Sequence, residues 1–192
     1  NSWRTFTVGQ VKYLMLALDF GPSDDVLNWA GDIIKNHPDH SVIITTHAYL
    51  YRNGTTLDAN EVCPPIGNGG YNNGDHIWTK LVSKYENIVL VMSGHDPSDN
   101  IVMSRDVGVN GNVVTSMLID PQGVDSEDGS TGMLAMLYFS EDGTKVQVEY
   151  FSTVKGEYFK EVNQFAIDLF SEEVSAADTD WDKYVHLNLY ED

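Results

Sequence analysis

The most regular pattern along the chain is a set of short apolar runs. They are residues 11–20 (VKYLMLALDF), 42–46 (VIITT) and 88–93 (IVLVMS). Each run is nearly continuous in β-branched and other apolar side chains, which is typical of strands covered on both faces. Residues 3–8 precede the first run and are joined to it by Gly9 and Gln10. This region is therefore predicted to form a hairpin with a two-residue turn.

Amphipathic segments separate these strands. Residues 24–36 carry apolar residues at helical spacing, and Ser23 is placed to cap their amino end. A second apolar stripe lies at residues 75–86, after a long loop rich in Gly, Asn and Pro at residues 52–74. The order strand, helix, strand, loop, helix, strand over residues 11–95 predicts parallel strands joined by helical crossovers.

The pattern changes after residue 100 to short strand candidates separated by turns. The candidates are residues 101–109, 112–120, 132–140 and 145–153, with a last edge strand at 163–170. Their spacing predicts an antiparallel β-meander. The predicted fold class is therefore α/β (α+β), with parallel βαβ strands and two helices followed by the meander. Residues 1–170 are predicted to form one domain, and the acidic residues 171–192 a linker or tail.

Composition limits the partners of such a domain. The 192 residues include 11 Lys and Arg against 29 Asp and Glu, which gives a formal net charge of −18. This charge repels polyanions, so binding to nucleic acid phosphates is not expected. No apolar run approaches the ~18 residues that a membrane helix needs. Cys63 is the only cysteine, and a chain without a disulfide suits a bacterial cytoplasm and a secreted or cell-surface bacterial protein equally, so the localisation stays open.

Two histidines follow apolar runs at matching positions. His47 ends the stretch VIITTH and His95 ends the stretch IVLVMSGH. Neighbouring strands lie ~4.8 Å apart, and ligands of parallel sheets bind beyond the carboxyl ends of the strands. The two imidazoles are therefore predicted to reach one shared cation, at ~2.0–2.1 Å if the ion is zinc. Spacing alone supports equally the alternative that each ring hydrogen-bonds the backbone of a nearby loop.

The residues before both histidines resemble motifs of a known family. VIITTH (42–47) is similar to the strand-end Val-Ile-x-x-Thr-His motif of calcineurin-like metallophosphoesterases, and VMSGH (91–95) resembles the Ser-Gly-His part of their Gly-His-x-His motif. The order of elements is similar over roughly residues 3–170. The resemblance implies a partial αββα sandwich, a two-metal centre in which His47 and His95 bind the same ion, and hydrolysis of phosphate mono- or diesters. It also implies Zn, Mn or Fe as the divalent metal, since imidazole alone does not distinguish them.

The chain departs from the family's pattern in two places. The second histidine of Gly-His-x-His would fall at Pro97, which cannot bind a metal, although the carboxylate of Asp99 could take its place. The family's front-half motifs, Asp-x-His, Gly-Asp-x-x-Asp and Gly-Asn-His-Asp/Glu, are absent from these residues. The chain is therefore interpreted as the C-terminal half of the catalytic domain. Such a half holds no catalytic residue, binds metal weakly or not at all, and is inactive on its own.

Candidate contacts with a substrate and with other chains follow from the same interpretation. Asn68, Tyr71 and Asn72 lie in the loop after the first histidine and are candidate substrate-binding residues. Loss of the front half would leave apolar strands with open edges, so the missing half or a homodimer partner is expected to cover them. The alternative function is a non-catalytic acidic α/β binding module in which both histidines are structural.

Overall fold

The fold is built from two β-sheets and, among the residues described, two α-helices. The computed structural model describes residues 1–123, 132–171, 174–177 and 184–185. The chain divides into a first unit, residues 1–6 with 12–124, and a second unit, residues 7–11 with 125–192. The single domain over residues 1–170 stays a prediction.

The first unit contains a six-stranded mixed sheet, apart from residues 7–11 around the turn between its first two strands, which belong to the second unit. Its strands are β1 (Ser2–Val8), β2 (Val11–Ala17), β3 (Ser41–Ala48), β4 (Ile88–Gly94), β5 (Val102–Val107) and β6 (Val113–Leu118). They follow the order β1-β2-β3-β4-β6-β5, in which β2, β3, β4 and β6 run parallel and β5 is antiparallel to β6. The predicted parallel strands are confirmed, and so is the hairpin of β1 and β2, which turns at Gly9 and Gln10.

The first helix, α1 (Asp24–Lys35), begins where the sequence predicts. The Ser23 side chain accepts a hydrogen bond from the backbone N–H of Val26 at 3.3 Å, which satisfies one of the amide donors left open in the first turn. The buried residues of the helix are Leu27, Ala30, Gly31 and Ile34. This spacing places one side of α1 against the sheet of the first unit, as the apolar stripe indicates.

The second helix is shorter than the sequence predicts. α2 covers Gly74–Lys80, and it ends there because Leu81 takes φ −130° and ψ −66°, outside the helical region. A separate 3-10 turn follows at Val82–Lys84. The prediction of a helix over 75–86 is therefore wrong for its last part, where packing of the fully buried Leu81 and Val82 overrides helical periodicity. Within the described residues, neither helix has the length and apolar character needed to cross a bilayer.

The core of the first unit lies on its central parallel strands. Leu16, Ile44 and Val91 are in register across β2, β3 and β4, and each is 0% exposed. Ile34 of α1 and Ile77 of α2 join the same apolar cluster. This packed platform fixes the carboxyl ends of β3 and β4, where the two predicted metal ligands are located.

The second unit contains an antiparallel sheet. Its strands are β7 (Met133–Ser140), β8 (Lys145–Ser152), β9 (Glu157–Tyr158), β10 (Phe165–Asp168), β11 (Val174–Ala176) and β12 (Tyr184–Val185). They follow the order β11-β10-β8-β7-β12, and β9 pairs with β8. Every one of these pairings is antiparallel, so the predicted meander is confirmed for this sheet.

Two of the strands predicted for the meander belong to the first sheet instead. β6 pairs in parallel with β4, and β5 forms the edge beyond it. Val114 and Leu118 of β6 are part of the apolar core of the first unit. An alternating pattern defines which face of a strand is buried but not which strand lies beside it, so the sequence did not separate these two strands from the later ones.

The acidic segment at residues 171–192 contributes strands to the second sheet. β11 pairs with β10, so β10, predicted at 163–170 as an edge strand, lies between β8 and β11. β12 pairs with β7. The other residues of the predicted linker or tail lie largely outside the described part of the chain.

Candidate functional site

The two predicted histidines lie side by side at the carboxyl edge of the first sheet. β3 and β4 are parallel neighbours, and Ala48 pairs with Gly94 where both strands end. His47 is the penultimate residue of β3, and His95 follows β4 directly. Their ring centroids are 5.1 Å apart, with the ring planes at 72°. The rings therefore converge as predicted, and the role of both residues as metal ligands stays a prediction.

A third ring, that of Phe20, contacts both histidines. Phe20 follows β2 and lies 5.6 Å from the His47 ring and 5.5 Å from the His95 ring, centroid to centroid. The Thr46 hydroxyl donates to the backbone oxygen of Asp19 at 3.1 Å, which fixes the segment before Phe20 to the end of β3. Three neighbouring parallel strands thus contribute one ring each to a ring cluster formed by Phe20, His47 and His95. Phe20 was not identified from the sequence, although its position at the end of the apolar run 11–20 was an available signal.

The backbone of His95 adopts a strained conformation. Its φ is 81°, in the left-handed region. Among the described residues other than glycine, Lys160 is the other one with a positive φ. This region costs a residue with a Cβ atom ~1–2 kcal/mol. Strain of this kind persists only where surrounding contacts hold the residue in place, and it is concentrated at functional sites.

The long loop after β3 contacts the His95 ring. Nε2 of His95 lies 3.0 Å from the backbone oxygen of Cys63 and 3.5 Å from Oε2 of Glu61. Glu61 also accepts a hydrogen bond from the backbone N–H of Cys63. The side chains of His95 and Glu61 are 11% and 12% exposed, whereas His47 is exposed. Glu61 was not identified from the sequence, because a single acidic residue in a long loop forms no pattern.

The residue that follows His95, Asp96, has a buried carboxylate that pairs with Arg52. Asp96 is 5% exposed and accepts hydrogen bonds from the backbone N–H of Arg52 at 2.7 Å, from its Nε at 2.9 Å and from its Nη2. Burial by itself would raise the pKa of Asp96, but the hydrogen bonds and charge of Arg52 outweigh it and hold the pKa below its usual value. The same contacts raise the pKa of Arg52. Both residues escaped the sequence analysis, since they are 44 positions apart.

The separation of the two histidine rings is compatible with binding of one shared ion and equally with an edge-to-face ring contact. An ion bound tetrahedrally at ~2.0–2.1 Å by one nitrogen of each ring places the ring centroids about 5 Å apart, and the observed separation is 5.1 Å. Asp99, the candidate additional ligand, is exposed and lies four positions after His95. In the part of the chain that the structure describes, no group of three or more His, Cys, Asp or Glu residues is arranged to hold a metal ion.

Asn72, a candidate substrate-binding residue, ties the long loop to both helices. Its Nδ2 donates to the backbone oxygen of Pro22 at 2.7 Å and to Asp24 at 2.9 Å, and its Oδ1 accepts from Lys80 at 2.8 Å. The residue is 2% exposed. Lys80 also pairs with Asp24 at 2.7 Å, and this contact lowers the pKa of that carboxyl group. Asn72 therefore has a structural role, whatever its contact with a substrate.

The other two candidate substrate-binding residues are more exposed. Tyr71 is 70% exposed, and an open cavity of about 380 Å³ is lined by Ser23, Asp24, Asp25, Tyr71, Asn72 and Lys80. Neither residue of the histidine pair lines this cavity. Asn68 is exposed, and its Nδ2 donates to the backbone oxygen of Pro64 at 2.7 Å. The substrate role of these loop residues stays a prediction.

Comparison with known proteins gives a relative without an assigned activity. No family model matches the chain. The chain is 29% identical over 163 residues to a Bacillus subtilis (strain 168) protein described as "Uncharacterized protein YvnB". The match covers 82% of this chain and 11% of that protein, so the chain spans a small part of the relative's length. The name of the relative states no activity, substrate or partner.

Proposed function

We propose that the chain is the C-terminal half of a metal-dependent phosphoesterase domain, in which His47 and His95 bind one divalent ion. The observation that supports the proposal is the 5.1 Å separation of the two ring centroids at the carboxyl edge of adjacent parallel strands. Ligands of open α/β sheets bind at this edge. Zn, Mn and Fe are all compatible with imidazole ligands.

The proposed reaction is hydrolysis of phosphate mono- or diesters by a two-metal mechanism. Two bound divalent ions would supply activation of a water molecule and stabilisation of the attacking and leaving oxygens of an in-line displacement. The contribution of this chain is binding: His47 and His95 supply ligand nitrogens, Asp99 is the candidate oxygen ligand, and the Phe20 ring packs against both histidine rings. Bound cations would also reverse the local field of a chain with a net charge of −18, which otherwise repels an anionic substrate.

Zinc titration of the chain without an affinity tag tests the two ligand roles. We expect the wild type to bind one Zn²⁺ weakly, and His47→Gln and His95→Asn each to lower the affinity at least about tenfold, because each removes a ligand. Asparagine is chosen at position 95 because it tolerates a positive φ better than most residues. Isothermal titration calorimetry measures the affinity.

His40→Gln is the matched control for this titration. His40 precedes β3, at the opposite end of the strand from His47, and its Nδ1 lies 2.8 Å from Asp39. Its replacement is expected to leave zinc binding unchanged. Equal affinity in the wild type and both ligand variants would contradict the proposed ligand roles, and so would an equal loss in His40→Gln.

The chain alone is expected to be inactive, because the front-half motifs are absent from its sequence. We propose that the remaining metal ligands come from a front half or from a homodimer partner. Turnover of a chromogenic phosphomonoester and phosphodiester with added Mn²⁺ or Zn²⁺ should stay at the rate of the metal alone. A higher rate that disappears in His47→Gln would show that these residues suffice for catalysis and would contradict this prediction.

A second candidate function is a non-catalytic acidic α/β binding module. The observation that favours it is the contact of His95 Nε2 with Cys63 and Glu61, which already gives this ring a structural role. In such a module, His95→Asn lowers the free energy of unfolding, and zinc affinity is negligible in every variant. The titration above therefore separates the two functions.

A further inference from the structure

We infer that Arg52 and Asp96 act as a positioning pair that holds the His95 ring against His47 and Phe20. The consequence for metal binding rests on the proposed function, whereas the effect on ring geometry does not. Both residues act through His95, since they are placed on the backbone segments beside the rings.

The pair connects the two segments that carry the histidines. Arg52 lies five positions after His47, and Asp96 directly follows His95. Pairing between β3 and β4 ends at Ala48 and Gly94, so the strands themselves do not tie the chain together beyond this point. The contacts of Arg52 with Asp96 extend the connection past the strand ends.

The burial of Asp96 makes this connection strong. Its carboxylate is 5% exposed, while the side chain of Arg52 is 64% exposed. A buried carboxylate must be paired and hydrogen-bonded, and Arg52 supplies a backbone N–H together with Nε and Nη2. A contact that uses both the main chain and the guanidinium fixes the position of residue 52 as well as that of Asp96.

The strained backbone of His95 makes the position of its ring depend on the contact between Arg52 and Asp96. A φ of 81° is disfavoured for a residue with a Cβ atom and relaxes when the neighbouring contacts are lost. Relaxation of φ would rotate the His95 ring away from Phe20 and His47, which now lie 5.5 and 5.1 Å away. Arg52, Glu61 and Asp96 also line one open cavity of about 260 Å³, so the pair lies beside the loop residue that contacts the ring.

Proton NMR of the metal-free chain with labelled histidine and phenylalanine tests the pair directly. The wild type should show nuclear Overhauser contacts among the three rings of the cluster. We expect Arg52→Gln and Asp96→Asn to lose most of the intensity between the His47 and His95 rings, and Arg52→Lys to restore part of it by returning the charge. Amide shifts of α1 and β2 in the first unit should stay unchanged and serve as the measure that this unit is folded.

The surface ion pair of Lys12 with Asp39 provides the matched control. Its atoms are 2.6 Å apart with both side chains more than half exposed, and Lys12→Gln makes the same charge change as Arg52→Gln. The control should keep the wild-type ring contacts. Wild-type ring contacts in Arg52→Gln and Asp96→Asn would overturn the inference. If neither variant folds, Arg52→Lys decides: weakened ring contacts support the pair, and unchanged ones overturn it.

Zinc titration of the same variants separates this inference from the proposed function. Arg52→Gln is expected to lower zinc affinity about tenfold although Arg52 is not a ligand, as loss of a group that orients a ligand does in known metal sites. A wild type that binds no zinc would count against the ligand roles of His47 and His95 in this chain, while the ring contacts would still decide whether Arg52 and Asp96 position the His95 ring. Lost ring contacts with unchanged zinc affinity would overturn the part of the inference that concerns metal binding.

Discussion

Replacing Gly74 with alanine is expected to destabilise the first unit by about 3 kcal/mol or more, because the new side chain has no space. A Cβ atom at this position would lie 2.1 Å from the backbone oxygen of Tyr49 and 2.9 Å from the backbone nitrogen of Leu57. These two atoms are hydrogen-bonded to each other at 2.8 Å, and both residues are buried. The added Cβ therefore clashes with backbone atoms of residues 49 and 57, which cannot move without breaking the hydrogen bond between them.

Urea unfolding followed by tryptophan fluorescence measures this effect, since Trp29 and Trp78 pack against the core of the first unit. Gly67→Ala is the matched control. Gly67 has φ +93°, and an added Cβ would meet nothing within 4 Å, so only backbone strain of ~1–2 kcal/mol is expected. A Gly74→Ala protein as stable as the Gly67→Ala protein would show that α2 does not start against the 49–57 segment as described.

Ile44→Ala is expected to lower the free energy of unfolding of the first unit by about 2–5 kcal/mol, by loss of buried surface and formation of a cavity. Ile44 is 0% exposed and lies between Leu16 of β2 and Val91 of β4 in the sheet register. Neither strand can move into the space, since each is held by backbone pairing to β3. Ile44→Val, which removes a single methylene group, should cost about 0.5–1.5 kcal/mol.

The same fluorescence-detected unfolding measures this series, with an unchanged dependence on urea concentration as the sign that the compactness of the states is retained. Val107→Ala in the edge strand β5 is the control, because Val107 is 61% exposed and its truncation should stay within about 0.5 kcal/mol of the wild type. A loss in Ile44→Ala as small as the loss in Val107→Ala would refute the central position of β3.

The positions of the two histidines in the ring cluster follow from the sequence, whereas the backbone conformation of His95 does not. The positions of His47 and His95 follow from where two apolar strands end, and the parallel pairing of these strands brings the rings within 5.1 Å. The positive φ of His95 could not be predicted from the sequence, because histidine adopts this conformation more often than most residues but does not require it. A strained residue beside a buried, paired carboxylate is typical of functional sites, and this edge of the sheet combines both features.

The sequence by itself determined the central parallel strands β2, β3 and β4, the start of the first helix and the location of the histidines. The apolar runs predict β2, β3 and β4 because a buried strand needs apolar side chains on both faces. Ser23 predicts the start of α1 because its oxygen meets a local requirement of the first helical turn. These features depend on residues that are close in the chain, and local patterns therefore suffice to find them.

Only the tertiary structure decided which strands share a sheet and which side chains surround the histidines. β6 joins β4 rather than β7, and α2 ends at Lys80, because burial against distant residues outweighs local periodicity. Arg52 and Asp96 meet across 44 positions, and a charged residue in a loop looks the same in the sequence whether it is solvated or paired. Contacts of this kind form between residues that are distant in the chain, so their burial and pairing cannot be predicted from a local sequence pattern.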